Sequence, residues 1–546
     1  MKGYKADIVV IGGGTGGVAA ALAAARMGNT VILTEETDWL GGQLTSQAVP
    51  PDENPWAESI GSTRTYQQYR QRVREYYRRN FPLTPEVRTA EYLNPGNAYV
   101  SRLSHDPRVS VSVLQDMLSP FLHSGRLSLL LKYQPISADV DRDRVRSIML
   151  HSLETGENVL VEGNYFIDAT ELGDLLPLTG AEYVIGAESQ KQTGEPHAVS
   201  GDPEPYNMQA MTHCLALEYL PGENHMIDKP ETYEFWKSYK PQFWPNPLLS
   251  WTVVHPETLE PRNTILFQDE KAPGQTYSLW SYRRLIDKDN FESGFYRSDV
   301  SVMNWPQTDY WLGPIIDVDD ETKAKHIEGA RQLSLSMLYW LQTEAPRPDG
   351  GIGYPGLRLR PDVMGTDDGL AKYPYVRESR RIRAEFTVLE QHLAQHVRGE
   401  HGAERFPDSV GIGYFRIDLH PSTSQVTYID IPACPFQIPL GALIPLRLEN
   451  LLAAAKNIGV THITNGCFRL HPVEWNVGEV AGTLASWCTN KHLEPRQVRN
   501  TPQYLAEFQS LLRKCGINLE WPPSTPAVVP SGEYGAGDSS LVLPIG

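Results

Sequence analysis

The chain is poor in the residues that build metal and thiol chemistry. Its 546 residues include five cysteines, Cys214, Cys434, Cys467, Cys488 and Cys515, and no two are spaced as CxxC. That spacing excludes a zinc knuckle, an iron–sulfur cluster and the dithiol of a disulfide oxidoreductase, and no metal site is expected. Five scattered cysteines also make a poor disulfide framework and fit a reducing compartment, so the expected location is the cytoplasm. No run of about 18 uninterrupted apolar residues occurs, so no membrane-spanning helix and no membrane partner are expected. Lys2 and Lys5 precede an apolar segment, but five glycines between Gly12 and Gly17 interrupt it, and no cleavage site for a secretion signal follows. A basic excess is missing too. The net charge of −17 argues against a nucleic-acid partner, whose phosphates need a positive footprint. What remains is an ordinary globular composition, 40% hydrophobic and 21% charged, in a chain long enough for two or three lobes.

The N-terminus carries the most informative pattern. Residues 7–11, DIVVI, read as a strand buried on both faces; GGGTGG follows, then the helix formers VAAALAAARMG, then a second strand, TVILTEE, at 30–36. Strand, glycine turn, helix and strand within about 30 residues form the context of a dinucleotide fingerprint. Gly12 serves the tight turn, Gly14 lets the backbone approach a pyrophosphate, and Gly17 lets the helix pack on the strand. Thr15 and Gly16 open the helix, whose positive end faces the phosphates. Glu35, with Glu36 beside it, ends the second strand 23 residues after Gly12, where a carboxylate can accept both ribose hydroxyls.

Three further segments carry a resemblance. EETDWLGGQ (35–43) resembles the stretch after the second strand in the glutathione-reductase-like flavoproteins, where paired glycines pass close to FAD. NYFIDATELGDLLPLTGAEY (164–183) resembles their strand-and-turn element beside the flavin nucleotide. NLLAAAKNIGVTHITNGCFRLHPVEWNVGEVAGTL (450–484) resembles their C-terminal FAD segment. With YVRESRRIRAEFTVLEQHL (375–393), the pattern is similar to the bacterial FAD-dependent oxidoreductases related to fumarate-reductase-type flavoproteins. The resemblance implies FAD as cofactor, held through Gly41, Gly42, Gln43, Ala169, Thr170, Asn457 and Gly478, with the backbone near Ile136 approaching the adenine. Two departures from the family pattern stand out. Glu171 follows Ala-Thr where a glycine is usual, and Ala454-Ala455-Lys456 replaces Ala-Gly-Arg, with Asn457 where many relatives carry an acid.

The expected fold class is α/β, a Rossmann-like FAD-binding domain with a parallel sheet and β-meander plus an α+β substrate domain. The FAD-binding domain is expected to be discontinuous, from 1–50, 100–200 and 440–490, with a helical insertion at 51–99 and a substrate or cap domain at 200–439. Residues 491–546 read as a C-terminal helix and an extended tail. Residues 127–167 read as the β-meander. Seven of the twelve tryptophans lie between Trp236 and Trp340, so the middle lobe supplies either aromatics for a ligand site or simply a packed core. In YQQYRQRVREYYRR (66–79), Tyr66, Tyr69, Val73 and Tyr76 fall at helical spacing, which points the tyrosines inward and the arginines to solvent. The glycines of DGGIGYPG (349–356) lie between proline-rich loops rather than after a strand, so no second nucleotide site is expected there.

A flavin accepts a hydride at N5, so the protein must hold the donor carbon and manage one proton. His462 and His471 flank the segment expected beside the flavin and are candidate proton acceptors. Arg380, within the run Arg380, Arg381 and Arg383, and Arg469 are candidate substrate anchors or counter-charges for the reduced flavin; ion pairing with Glu378 or Glu385 is the alternative for the run. The expected function is dehydrogenation of a small polar organic substrate by hydride transfer to flavin N5. A monooxygenase, an NAD(P)H-driven reductase and a non-catalytic binding protein with structural FAD are the alternatives. The oligomeric state is left open.

Overall fold

The computed structural model describes residues 2–267 and 278–529. Its central sheet contains β1 (Ile8–Ile11), β2 (Val31–Glu35), β3 (Leu127–Leu131), β4 (Tyr165–Asp168) and β5 (Leu451–Ala453), in the order β5-β4-β1-β2-β3. Every neighbouring pair is parallel; Val9, for example, lies between Ile32 and Phe166. All four residues of β1 are fully buried, which is why the strand is apolar on both faces rather than alternating. The strands thus come from residues 8–35, 127–168 and 451–453, so the sheet is built from separated stretches of chain.

Helix α1 (Thr15–Arg26) is buried along nearly all its length, and its composition follows from that. It lies between the sheet and α4 (His471–Lys491), so alanine and glycine replace an amphipathic pattern. A Cβ on Gly478 would lie 2.0 Å from the Gly16 carbonyl oxygen, and one on Gly482 would lie 2.1 Å from that of Ala20. The two helix backbones therefore cross in direct contact, and no larger residue fits. Gly12 ends β1 at φ +97°, where a side chain would also strike the Ala169 carbonyl.

The segment expected as one meander divides between two sheets. Leu127–Leu131 and Tyr165–Asp168 belong to the parallel sheet, and only the strands Tyr133–Asp141, Arg144–Ser152 and Asn158–Glu162 form the antiparallel meander. Lys2–Lys5 completes that second sheet, parallel to Asn158–Glu162.

The middle lobe contains a four-stranded antiparallel sheet of Arg284–Ile286, Val300–Met303, Leu215–Tyr219 and Leu357–Leu359. Trp236, Trp244, Trp280, Trp305, Trp311 and Trp340 are buried in one apolar cluster with the helix Asp320–Thr343. The tryptophans are thus core, each contributing roughly 1.5–3 kcal/mol or more by burial. The glycines at 349–356 lie in the connection between that helix and Leu357–Leu359.

In α2 (Arg64–Asn80) the buried face is Tyr66, Tyr69, Val73 and Tyr77; Tyr76 is only half-buried. The expectation that the arginines face solvent holds for Arg72 and Arg79 and fails at two positions. Arg70 and Arg74 are buried because Glu53 and Glu58 from the preceding loop neutralise them. After α4 come the helices Pro495–Asn500 and Pro502–Cys515; most of the expected tail, from residue 530 onward, lies outside the described residues. All five cysteines are unpaired, and among the described residues no helix is long and apolar enough to cross a membrane.

Candidate active site

A cleft of about 460 Å³ opens at the C-terminal ends of β1 and β2, the position where parallel sheets bind nucleotides. Gly12, Gly14, Glu35, Glu36, Gly42, Ile136, Ala169, Thr170 and Arg380 from the expected set line it. The glycines differ in what holds them there. A Cβ on Gly17 would lie 1.9 Å from the Gly12 carbonyl oxygen and one on Gly16 would lie 1.8 Å from that of Ala454. At Gly14 the only close atom is the Glu171 carboxylate at 3.0 Å, so the protein's own packing does not demand glycine. The space above Gly14 is a cradle that a side chain would fill, as a closely approaching pyrophosphate requires.

Glu35 accepts hydrogen bonds from the Gly13 N–H at 2.9 Å and from the Thr37 N–H and hydroxyl at 2.9 and 2.8 Å. Burial outweighs these bonds and pushes its carboxyl up to about 7. Thr15 donates to the Gly41 carbonyl, and the Gly41 N–H returns a bond to Gly13, tying the second glycine pair to the first. Asn457 braces β4 and β5 by donating to the Asp168 carbonyl and accepting from Ala455, while Gly478 belongs to the helix crossing rather than the cleft lining.

The two departures from the family pattern meet each other. The Lys456 ammonium pairs with the Glu171 carboxylate beside Gly14 and Gly42. Glu474, from the first turn of α4, accepts from the Gly16 N–H at 3.3 Å and from the Gln43 amide. Burial pulls the Lys456 ammonium down, but Glu171 and Glu474 more than offset it and hold it charged. Gln43 also donates to the Arg469 carbonyl at 3.0 Å, so the glycine loop is fastened to the start of α4. Fully buried Gln47, a neighbour of the lining residue Ser46, has neither amide atom paired. Nucleotide cradle, buried acid and unpaired amide together fit the residues to FAD.

The profile of the family described as FAD dependent oxidoreductase matches residues 7–512. The chain belongs to this family. It is an FAD-dependent oxidoreductase, with a Rossmann-like FAD domain and a second domain. N,N-dimethylglycine/sarcosine dehydrogenase of Chromohalobacter salexigens is 46% identical over 65 residues, which are 12% of this chain and 9% of that protein, so the chain matches only a small part of this curated relative. Among solved structures, E. coli quinol fumarate reductase FrdA aligns over 94% of this chain and 74% of its own at 10% identity and a TM-score of 0.31. A geranylgeranyl bacteriochlorophyll reductase-like protein from Thermoplasma acidophilum aligns over 94% and 84% at 10% identity and a TM-score of 0.30.

The four candidate catalytic residues of this oxidoreductase fall in three places. Arg380 lines the nucleotide cleft with its guanidinium held by Asp174 and Asp317 and by the Leu172 carbonyl, so it is an ion-paired wall rather than a free anchor. Its neighbour Arg381 pairs with Glu378 and Glu188. His462 opens α3 (His462–Phe468), and its Nδ1 lies 2.9 Å from Glu378. That carboxylate accepts from Nδ1 and fixes the orientation of the ring. Burial, opposed by His462 and Arg381, leaves the Glu378 carboxyl at about 2, so it stays charged.

His471 is different. Its Nδ1 accepts from the Asp52 backbone N–H at 3.1 Å, so its proton sits on Nε2 and the ring's lone pair is engaged. Burial pulls the imidazole down to about 4. His471 is therefore a neutral donor, which corrects the expectation of a proton acceptor at that position.

Arg469 belongs to a buried circuit that local sequence reading missed. It donates to the Tyr375 hydroxyl at 2.8 Å and pairs with Asp418 at 2.9 Å. Asp418 lies 3.7 Å from the His420 ring, whose other nitrogen is 2.6 Å from Asp309. Asp309 pairs with Arg377 at 2.9 Å, and Arg377 stacks on the Tyr375 ring at 4.9 Å, which closes the ring. Arg283 and Asp52 pair at 3.0 Å close by, Asp52 also holding His471. Burial raises Asp309, but Arg377 and His420 overcome it and bring its carboxyl below the usual range. Five buried N–H donors in this group find no hydrogen-bond partner: the Nε atoms of Arg283, Arg377 and Arg469, Nε2 of His471 and Nδ2 of Asn304. Each buried donor left unmet costs about 1–3 kcal/mol, a cost that an acceptor entering the cluster would remove.

Proposed function

We propose that this oxidoreductase dehydrogenates a small polar substrate bearing a carboxylate, and that a secondary or tertiary amine beside the reacting C–H is the first class to test. The observation that carries this reading is the set of five unpartnered buried donors around Arg283, Arg377 and Arg469. A carboxylate is the small group that accepts several such bonds at once, and guanidinium forks suit it. The local likeness to a protein named for dimethylglycine and sarcosine supports the amine.

Bound FAD supplies the two-electron, hydride-accepting centre, held by Gly14, Gly42, Glu35 and the start of α1. The chain's own residues do the rest. Arg469 and Arg377 orient the substrate carboxylate. His471 donates from Nε2 to a developing negative charge without changing its own protonation. His462, its Nδ1 proton held by Glu378, takes the proton the substrate releases.

Purified protein, mixed anaerobically with sarcosine, dimethylglycine, proline and related acids, should lose its yellow colour with at least one of them. Bleaching by NADH or NADPH alone, with no response to any amino or hydroxy acid, would replace the reading with an NAD(P)H-driven reductase or monooxygenase. A flavin that neither class of reductant bleaches would point to a structural FAD.

A further inference from the structure

On the side of α3 that carries its N-terminal cap, three side chains from two distant segments converge. His197 follows the short helix Gln190–Thr193, Glu390 begins the turn Glu390–His392, and His396 lies in the next turn, Gln395–Arg398. Glu390 is completely buried, while the His197 and His396 side chains are 37% and 43% exposed. His197 Nδ1 lies 2.5 Å from Glu390 Oε1 and His396 Nε2 lies 3.5 Å from the same oxygen. The two imidazoles meet edge to face with their centroids 5.3 Å apart, and the three ligand atoms all lie within 4.8 Å of one another.

We propose that His197, Glu390 and His396 form a binding site for a divalent first-row transition ion, with Zn²⁺ as its natural probe. Two imidazoles and one carboxylate are the donor set that Zn²⁺ takes, and three protein ligands leave a position for water. The distances suit this. Tetrahedral ligands about 2.0–2.1 Å from zinc lie roughly 3.3 Å from each other. The His396–Glu390 separation already matches. The His197–Glu390 separation is that of a proton-bridged pair, and exchanging the proton for a metal requires an opening of somewhat under about 1 Å, which the half-exposed His197 ring can make by rotation.

The second shell ties the site to the fold. The other Glu390 oxygen accepts the His197 backbone N–H at 3.0 Å, so the carboxylate is oriented before any ion arrives. The Glu390 N–H donates to Glu195 at 2.9 Å, and the same Glu195 oxygen accepts from the Thr461 hydroxyl at 2.6 Å. Thr461 is the N-cap of α3. An ion at this position would cross-link residues almost 200 apart in the chain, directly behind that cap. Its role would be structural, and FAD binding does not depend on it.

The test uses tag-free, chelator-treated, FAD-loaded protein. Zn²⁺ uptake is measured by calorimetry and by elemental analysis after desalting, and thermal stability is followed with and without Zn²⁺. The wild type should take one equivalent per chain and melt at a higher temperature with the ion. His396→Asn and His197→Asn are surface changes that should leave the flavin content intact. Each should weaken Zn²⁺ binding by more than about 100-fold, since even outer-shell changes cost 10–100-fold, and should abolish the shift in melting temperature. A wild type that takes up no Zn²⁺, or a His396→Asn variant that binds it as tightly as the wild type, overturns the site.

Discussion

The glycines of the nucleotide turn can be separated by experiment, because the structure gives them different reasons to be glycine. Consider Gly14→Ala and Gly17→Ala side by side. At Gly17 the new methyl would sit 1.9 Å from the Gly12 carbonyl oxygen, so β1 and α1 must move apart. Overpacking of this kind costs about 1–3 kcal/mol or more, and both stability and flavin should be lost. At Gly14 the backbone has φ −63°, which alanine adopts freely, and the methyl meets only the flexible Glu171 carboxylate at 3.0 Å. Removing a glycine at such a position stabilises the fold by about 0.4–1 kcal/mol through the unfolded state. The apoprotein should therefore melt at the same temperature or slightly higher. Yet the methyl occupies the cradle above the turn. Losing even one charge-assisted bond to the pyrophosphate, about 1.5–3 kcal/mol, weakens FAD binding by roughly 10–150-fold. The assay is reconstitution of apoprotein with FAD, followed by quenching of flavin fluorescence, beside a denaturant melt of each apoprotein. A Gly14→Ala protein that binds FAD as tightly as the wild type would refute the reasoning. So would one that unfolds as readily as Gly17→Ala, because the cradle would then be only a packing contact.

Four further outcomes follow from the cleft and its neighbours. Glu35 has its carboxyl raised to about 7 by burial, whereas ribose hydroxyls would bond to the charged form; FAD binding should then expel a proton, and affinity should fall as pH drops from about 7.5 to 5.5, a slope that Glu35→Gln should flatten in the same fluorescence titration. By the same shift, Glu35 stabilises the apoprotein below about pH 4.5 and loses that contribution as pH rises through about 7, by about 3 kcal/mol at most. His471 has the opposite sign: with its imidazole near 4, the fold loses stability as pH falls from about 6.5 towards 4, and His471→Asn should reduce this acid sensitivity in denaturant melts. Lys456→Met should cost about 3–5 kcal/mol in urea unfolding by stranding Glu171 and Glu474, and Lys456→Met/Glu171→Gln should recover part of it; no loss in the single variant would mean that Lys456 is not charged in the fold.

How much of this was legible depends on how local each feature is. The turn from β1 through α1 to β2 could be read residue by residue, because each glycine, apolar strand residue and terminal acid acts within about 30 residues. The central sheet was less legible, since Leu127–Leu131 looks like its meander neighbours until its pairing with β2 is known. The Trp-rich lobe left ligand contact and core open, and burial decided for core, because aromatic rings give a large lobe its apolar mass. Arg70 and Arg74 misled the reading of α2 because their partners, Glu53 and Glu58, stand outside the helical period. The Arg–Asp–His circuit was invisible for a related reason. Asp52, Arg283, Asp309, Arg377, Asp418 and Arg469 come from six separate stretches, and all but Arg469, already a candidate anchor, read alone as ordinary charged loop residues. The one local signal was Asp418-Leu419-His420, which puts two polar side chains on one side of a short strand end.

If the circuit holds the substrate as proposed, its charge balance narrows the substrate class further than its donors alone do. Three guanidinium groups face three carboxylates, Arg283 with Asp52, Arg377 with Asp309 and Arg469 with Asp418, so the buried group is close to neutral before any ligand enters. His420 lies between Asp309 and Asp418 and can add at most one positive charge. What the circuit offers is therefore directed N–H donors rather than a net positive field. A dianion would bring two negative charges into a site able to neutralise one, and an uncompensated buried charge is costly. A zwitterion adds no net charge: its carboxylate would meet the unpaired donors of Arg377, Arg469 and His471, and its ammonium would face Asp418 or Asp309. Before oxidation the amine must lose its proton, and under the proposed function His462, oriented by Glu378, is the group placed to take it. Under the proposed function, neutrality favours a zwitterionic amino acid over a dicarboxylate. Competition experiments can test the order directly: glycine derivatives should perturb the flavin spectrum at lower concentration than succinate or malonate, and the reverse order would show that the three aspartates do not balance the arginines.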